Sequence, residues 1–152
     1  MAIIISGFPG VGKSCVATNR KNILDAESSA FSWVFDPTTL EKPTRNLEFP
    51  HNYIRFIQES AGLYDFILVS SHKAVREAMV AEGMQYIIVA PKKELKNEYL
   101  IRYLQRGSNI DFIELLNEKW DKFIDEIEND GAPVIWIDKG EHLSDVLGAI
   151  AR

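Results

Sequence analysis

Residues 1–15, MAIIISGFPGVGKSC, decide the reading of this chain. An apolar run enters a glycine-punctuated loop and leaves as a predicted helix. Gly7, Gly12, Lys13 and Ser14 satisfy the spacing G-x-x-x-x-G-K-[ST], in which backbone amides turn inward around a phosphate chain. Residues 2–6 suit a buried strand, and Gly10 adds backbone freedom inside the turn. Gly10, Val11, Gly12, Lys13, Ser14 and Cys15 are therefore expected to hold a nucleotide triphosphate. Lys13 would bring its ammonium to the β- and γ-phosphates, Ser14 would offer its hydroxyl to Mg²⁺, and the helix would aim its positive end at the same charge. The competing reading is a glycine-rich strand-to-helix turn that carries a lysine by chance. Strand, spacing and helix together favour the phosphate.

The whole chain sets the bounds. Its 152 residues make one ordinary domain, so 1–152 is read as a single unit with room for a sizeable core. A net charge of −5 argues against a partner with a long phosphate backbone. Cys15 is the only cysteine, which excludes an intrachain disulfide and a thiolate zinc cluster and suits a reducing, cytoplasmic setting. The N-terminal apolar run is short, lacks a basic leader and runs straight into the loop, so it reads as a core strand rather than a secretion signal. No apolar stretch approaches the length of a membrane span. Monomer and homodimer both remain open.

Beyond the loop, apolar runs alternate with helical patterns. Strands are predicted over 2–6, 22–26, 66–70, 86–90 and 134–137, with Pro91 ending the fourth. Helices are predicted over 15–21, 52–61, 73–82, 92–105, 111–129 and 141–151, the third with Val75, Met79 and Val80 turned inward. Such alternation implies a three-layer α/β fold around a five-stranded parallel sheet with right-handed crossovers. Trp120, at helical spacing among apolar neighbours, reads as core rather than as a base-stacking residue.

Several residues are candidates for the site. In an open parallel sheet ligands collect at the carboxyl ends of strands, which brings forward Asp25 and Ser28 after the second strand and Ser70, Ser71 and His72 after the third. Asp25 could equally cap a turn, and His72 could cap a helix or sit on the surface. Residues 31–50 form the least regular region and read as a mobile insertion, where Arg45 could bind a phosphate while Trp33 or Phe35 stacks on a base. The alternative is a surface excursion with buried aromatics. Arg102 and Arg106 lie four residues apart on one helical face and could meet one phosphate chain, with Gly107, Ser108 and Asn109 as a hinge. Their alternative is a solvated pair. Lys139, leaving the last strand, is either a purine edge contact or part of an ordinary turn.

With GFPGVGKS, ILDAESS, YDFILVSSH, RYLQRG and IDKGEHL in view, the chain resembles the nucleoside monophosphate kinase branch of phosphate-loop proteins. It looks most like the compact adenylate-kinase-like and deoxynucleoside monophosphate kinase proteins of bacteriophages. The resemblance spans nearly the whole chain in element order, with the phosphate loop as its specific motif. It implies a sheet in order 2-3-1-4-5, a mobile monophosphate-binding insertion and a lid near 102–110 whose arginines are Arg102 and Arg106. ATP and Mg²⁺ are the implied cofactors, with Lys13, Arg102 and Arg106 as the catalytic cations. Asp25 is similar in position to the carboxylate that orders metal-bound water in shikimate-kinase-like enzymes, which adds it to Ser14 as a metal-site residue. Two departures stand out: Ser70 and Ser71 replace the acidic residue familiar at the end of strand three, and the lid is short. The expected activity is transfer of the ATP γ-phosphoryl group to a nucleoside or deoxynucleoside monophosphate. A kinase of another small metabolite or nucleoside, and a non-catalytic nucleotide-binding regulatory module, are the alternatives.

Overall fold

The structure, a computed structural model, describes residues 2–18, 20–28, 31, 33–34 and 44–150. Phe35 and half of the expected insertion, 32 and 35–43, lie outside the described residues, and of Trp33 only the backbone pairing is described. The main sheet is built from β1 (Ile3–Gly7), β2 (Ile23–Asp25), β5 (Phe66–Ser70), β6 (Ile87–Pro91) and β7 (Val134–Ile137). All its neighbours pair in parallel, in the order β2-β5-β1-β6-β7. Counting only these five strands, that is 2-3-1-4-5. A two-residue ribbon, β3 (Trp33–Val34) with β4 (Thr44–Arg45), pairs antiparallel apart from the sheet and had no signal in the sequence pattern.

The α-helices that the described residues bound are α1 (Lys13–Ala17), α2 (His51–Ser60), α3 (Lys73–Ala81), α4 (Lys96–Gln105), α5 (Ile110–Glu128) and α6 (Leu143–Ile150). They flank the sheet in a three-layer arrangement, with α1 meeting α6, α2 meeting α3 and α4 meeting α5. None of the described helices is long and apolar enough to cross a membrane.

β1 sits at the centre because a strand flanked on both sides and covered on both faces must be apolar throughout. Ile4 and Ile5 are buried, and the one polar member, Ser6, is fully buried with its hydroxyl donating to Ser70 O at 3.2 Å. The register sets Gly7 beside Ser70, so the glycine loop and the end of β5 leave the sheet side by side. Trp120 is core, as the spacing predicts: it meets Phe8 edge-on at 5.4 Å and donates its indole N–H to Lys93 O at 2.8 Å.

Some expected boundaries change for local reasons. The first helix ends at Ala17, four residues short of the prediction. The fourth strand ends at Pro91 as expected, with Pro91 as its last member, because a proline at the last strand position forfeits a single donor and the Lys92 amide still reaches Ile137 O at 3.1 Å. The expected helix over 92–105 divides into a 3₁₀ turn, Lys93–Leu95, and α4. Val80 is exposed, and the inward position on α3 belongs to Arg76, whose charge is matched by Asp130.

Candidate functional site

A cleft of about 440 Å³ opens at the carboxyl ends of β1 and β5. The glycine loop with Lys13 and Ser14 forms its floor, Glu27 and Ser28 its β2 side, and Ser70, Ser71 and His72 its β5 side. Arg106 and an apolar wall from α5, including Phe112, Leu115 and Phe123, close it opposite. Leu115 is half exposed on the helix yet forms part of this wall, so α5 is both a packing element and a cleft wall.

The loop has a fixed shape. Gly10 and Gly12 have φ of 91° and 98°, a region closed to most side chains. Gly10 is also crowded, since a β-carbon there would stand 3.0 Å from Tyr103 and 3.1 Å from Tyr99. Gly12 caps α1 with no side-chain hydrogen bond, and no acidic residue occupies the first turn. The amides of Lys13, Ser14 and Cys15 thus have no acceptor within the helix, which is the donor arrangement an anion requires. Val11 departs from the expected ligand set: it is fully buried, its amide donates to Phe8 O and its carbonyl accepts from Leu143, so it anchors the loop instead. Cys15 is exposed on α1 and its side chain does not line the cleft.

Lys13 folds back along the loop and donates from Nζ to Gly7 O at 2.6 Å. Burial of the ammonium pulls its pKa down to about 8, with Arg106 adding to the fall and Asp25 and Glu27 opposing it. The folded pKa lies below the ordinary 10.5, so the unfolded chain holds this proton more tightly. The cost of the buried charge is therefore complete below about pH 8 and is relieved as pH rises toward 10.5, raising stability across that window. A bound phosphate reverses the preference by pairing with the ammonium. We expect triphosphate binding at pH 9 to take up protons, seen as heats that differ between buffers of unequal ionisation enthalpy, and Lys13→Met to abolish the difference. Equal heats for the unmutated protein would contradict this placement of Lys13.

Asp25, at the end of β2, does not line the cleft but lies within charge range of Lys13. Burial first, then the charge of Glu27, raise its pKa, while Lys13 lowers it. Its Oδ1 is buried with no hydrogen-bond partner. An orphan carboxylate oxygen fits an acceptor for metal-bound water, and Ser14 faces the cleft. Among the described residues no cluster of three His, Cys, Asp or Glu could hold a metal alone.

The two arginines part company. Arg102 is largely buried: Nη1 donates to Gly10 O at 2.9 Å, and Nη2 to Glu98 Oε2 at 2.9 Å and Glu141 O at 2.8 Å. Its guanidinium also stacks 4.3 Å over the Tyr99 ring. Tyr103 adds a bond from its hydroxyl to Pro9 O at 2.8 Å. Helix α4 is thus bolted to the back of the glycine loop, and Arg102 braces that loop instead of belonging to a lid. The shared helical face says nothing about how far a guanidinium is already committed. Arg106 does line the cleft; it is exposed, bonds Ser108 Oγ at 2.9 Å and lies 5.1 Å over Tyr103. The expected hinge is a tight corner, with Gly107 at φ 76° closing α4 and Asn109 accepting from the Asp111 amide at the head of α5. Removing three hydrogen bonds at about 1 kcal/mol each, Arg102→Ala should lower unfolding free energy by about 2–3 kcal/mol in urea titration and weaken ATP binding. A loss of turnover with stability and ATP affinity intact would restore Arg102 to the lid.

Lys139 is exposed and its side chain does not reach the cleft; its amide bonds Asp138 Oδ1 at 2.8 Å, as in an ordinary turn. From that turn it is His142 that approaches the loop, close enough for a β-carbon at Gly12 to stand 3.7 Å from its ring. Arg45 lies on β4 outside the cleft lining, though its charge reaches His72. The His72 imidazole has its pKa lowered by surrounding protein first, then by Lys13, Arg45 and Arg76. It makes no side-chain capping bond to α3. Ser70 Oγ accepts from the His72 amide at 3.2 Å, just ahead of the helix.

Glu27, which the sequence places with Asp25 at the carboxyl end of the second strand, lines the cleft. Sequence reasoning missed two groups. Tyr53 of α2 donates to Ala26 O and accepts from the Ser70 amide at 3.3 Å, tying the ends of β2 and β5 together. Arg76 and Asp130 pair across 54 residues, beyond any local signal. Compared with known proteins, the chain matches no protein-family model and no curated sequence.

Proposed function

We propose that the chain is a cytoplasmic phosphotransferase that moves the γ-phosphoryl group of ATP to a nucleoside or deoxynucleoside monophosphate. The observation that supports it most is the convergence of Lys13, the amides of residues 13–15 at the uncapped start of α1 and Arg106 on one cleft. Phosphoryl transfer needs alignment and neutralisation of developing charge more than a protein nucleophile. Lys13 binds the β- and γ-phosphates, Arg106 meets the transferring group from the α5 side, and α5 excludes water with its apolar wall. Mg²⁺, held through Ser14 with Asp25 accepting from its water shell, supplies further charge neutralisation when bound.

One observation favours the non-catalytic alternative. With Arg102 committed to the loop, only Arg106 of the two expected lid arginines reaches the cleft, and a regulatory nucleotide-binding module would need neither. A coupled ADP-release assay across the common nucleoside and deoxynucleoside monophosphates, extended to nucleosides and small phosphorylated metabolites, separates the readings. Acceptor-dependent ADP release with a monophosphate is the expected result. ATP binding without any acceptor-dependent release would favour the regulatory module.

A further inference from the structure

A second cavity, of about 760 Å³, opens at the other end of the sheet, against the amino ends of β1, β6 and β7. It falls within the range of small-molecule sites, roughly 300–1,000 Å³. Ile4, Val80, Met84 and Pro133 give it apolar walls, and Tyr86 and Asp130 a polar one. Val80, expected to turn inward on α3, is 62% exposed and lines this cavity instead of meeting a packed neighbour. One polar group on the lining lacks a partner. Backbone N–H groups along a parallel strand turn alternately to its two neighbours. That of Ile3 reaches Asp65 O, on the β5 side, and that of Phe8 reaches Val89 O, on the β6 side, so that of Ile4 points toward β6. The register of Ile5 with Ile87 puts Ile4 opposite Tyr86, one residue before β6 begins, where the next acceptor would be Gln85 O. That bond does not form, and the Ile4 amide has no acceptor among the described residues although Ile4 is only 7% exposed. A buried N–H without a partner is rare in folded chains and points to an acceptor from outside the chain. Charge in the cavity is already matched. Among the described residues Asp130 is the only charged one on its lining, and it is held by Arg76 and by the Tyr86 hydroxyl at 2.7 Å. A charged ligand would unbalance that pair, so the occupant is neutral.

We infer that this cavity is a second ligand site, which takes a small neutral molecule with an apolar ring and a carbonyl-type hydrogen-bond acceptor aimed at the Ile4 amide. The apolar walls hold the body and the amide fixes its orientation, the division of labour usual in small-molecule sites. The site lies away from the glycine loop and does not depend on the phosphoryl-transfer reading. One ion pair nonetheless belongs to both walls, since Asp130 lines this cavity while its partner Arg76 lines the cleft.

The test titrates the whole ¹⁵N-labelled chain with acetophenone and with ethylbenzene, which share a ring and differ in the carbonyl, and follows the backbone amide signals. Both probes should shift the amides of Tyr86, Ile87 and Ala132 at roughly millimolar concentration, the scale for a ligand of about ten heavy atoms. Acetophenone alone should carry the Ile4 amide proton downfield, the mark of a new hydrogen bond, while the amides of residues 10–15 stay in place. Val80→Glu, at an exposed position that the core does not use, should remove these shifts with circular dichroism unchanged. The absence of shifts, shifts centred on the glycine loop, an Ile4 proton that moves alike with both probes, or a response that survives Val80→Glu overturns the site.

Discussion

Lys13→Ala is expected to lower acceptor-dependent turnover by roughly 10²- to 10³-fold, the scale on which a preorganised group at developing transition-state charge acts. The fold should survive. The ammonium is a buried charge whose pKa is pulled down to about 8, so its removal takes away an electrostatic cost together with the bond to Gly7 O. Circular dichroism and a melting curve near those of the unmutated protein, alongside collapsed turnover, are the paired readouts. ATP affinity should be titrated with them, because a fall confined to binding would make Lys13 a ground-state contact only. A variant that retains near-normal acceptor-dependent rates would remove the loop from the chemistry.

The largest expected effect on stability lies at Asp130. Its carboxylate meets Arg76 with the two side chains 10% and 5% exposed, and it accepts from Tyr86 as well. Asp130→Ala would leave a buried guanidinium without its counter-charge, which costs about 3–5 kcal/mol. For a chain of this size that is a fall in melting temperature of roughly 2–4 °C for each kcal/mol. Replacing both partners by apolar residues of similar volume should recover most of the loss, since the penalty belongs to the uncompensated charge and not to the missing pair. If Asp130→Ala unfolds at the same urea concentration as the unmutated chain, the pair is solvated in solution and cannot hold Arg76 in place.

The difference between what the sequence revealed and what it hid follows the range of the interactions. The run Ile3 to Ile5, the glycine spacing and the apolar run of β5 are local patterns, and local patterns sufficed for the five strands and for the position of Lys13 and Ser14, while the sheet order came from the family resemblance. Ser28, Ser70, Ser71 and His72 also reach the cleft, because the carboxyl end of a parallel strand is a position that topology alone assigns. Arg102 shows where such reasoning stops. Helical spacing put it beside Arg106, but its acceptors are Gly10 O and Glu141 O, 92 and 39 residues away, and a carbonyl acceptor leaves no mark on composition. Lys139 fails for a related reason: the turn it belongs to does touch the loop, through His142 and Leu143, and only packing decides which residue of a turn points inward. The burial of Arg76 in place of Val80 is the same lesson on α3, where a distant carboxylate overrides the apolar pattern.

The central claim, phosphoryl transfer at the Lys13 cleft, is tested most directly by following the label of γ-³²P-ATP with Mg²⁺ and each common nucleoside or deoxynucleoside monophosphate, beside Lys13→Ala in parallel. The account predicts that label appears in the diphosphate of at least one acceptor, and that the variant loses nearly all of it. Label that stays in ATP or passes only to inorganic phosphate, while the protein still binds the nucleotide, would contradict it.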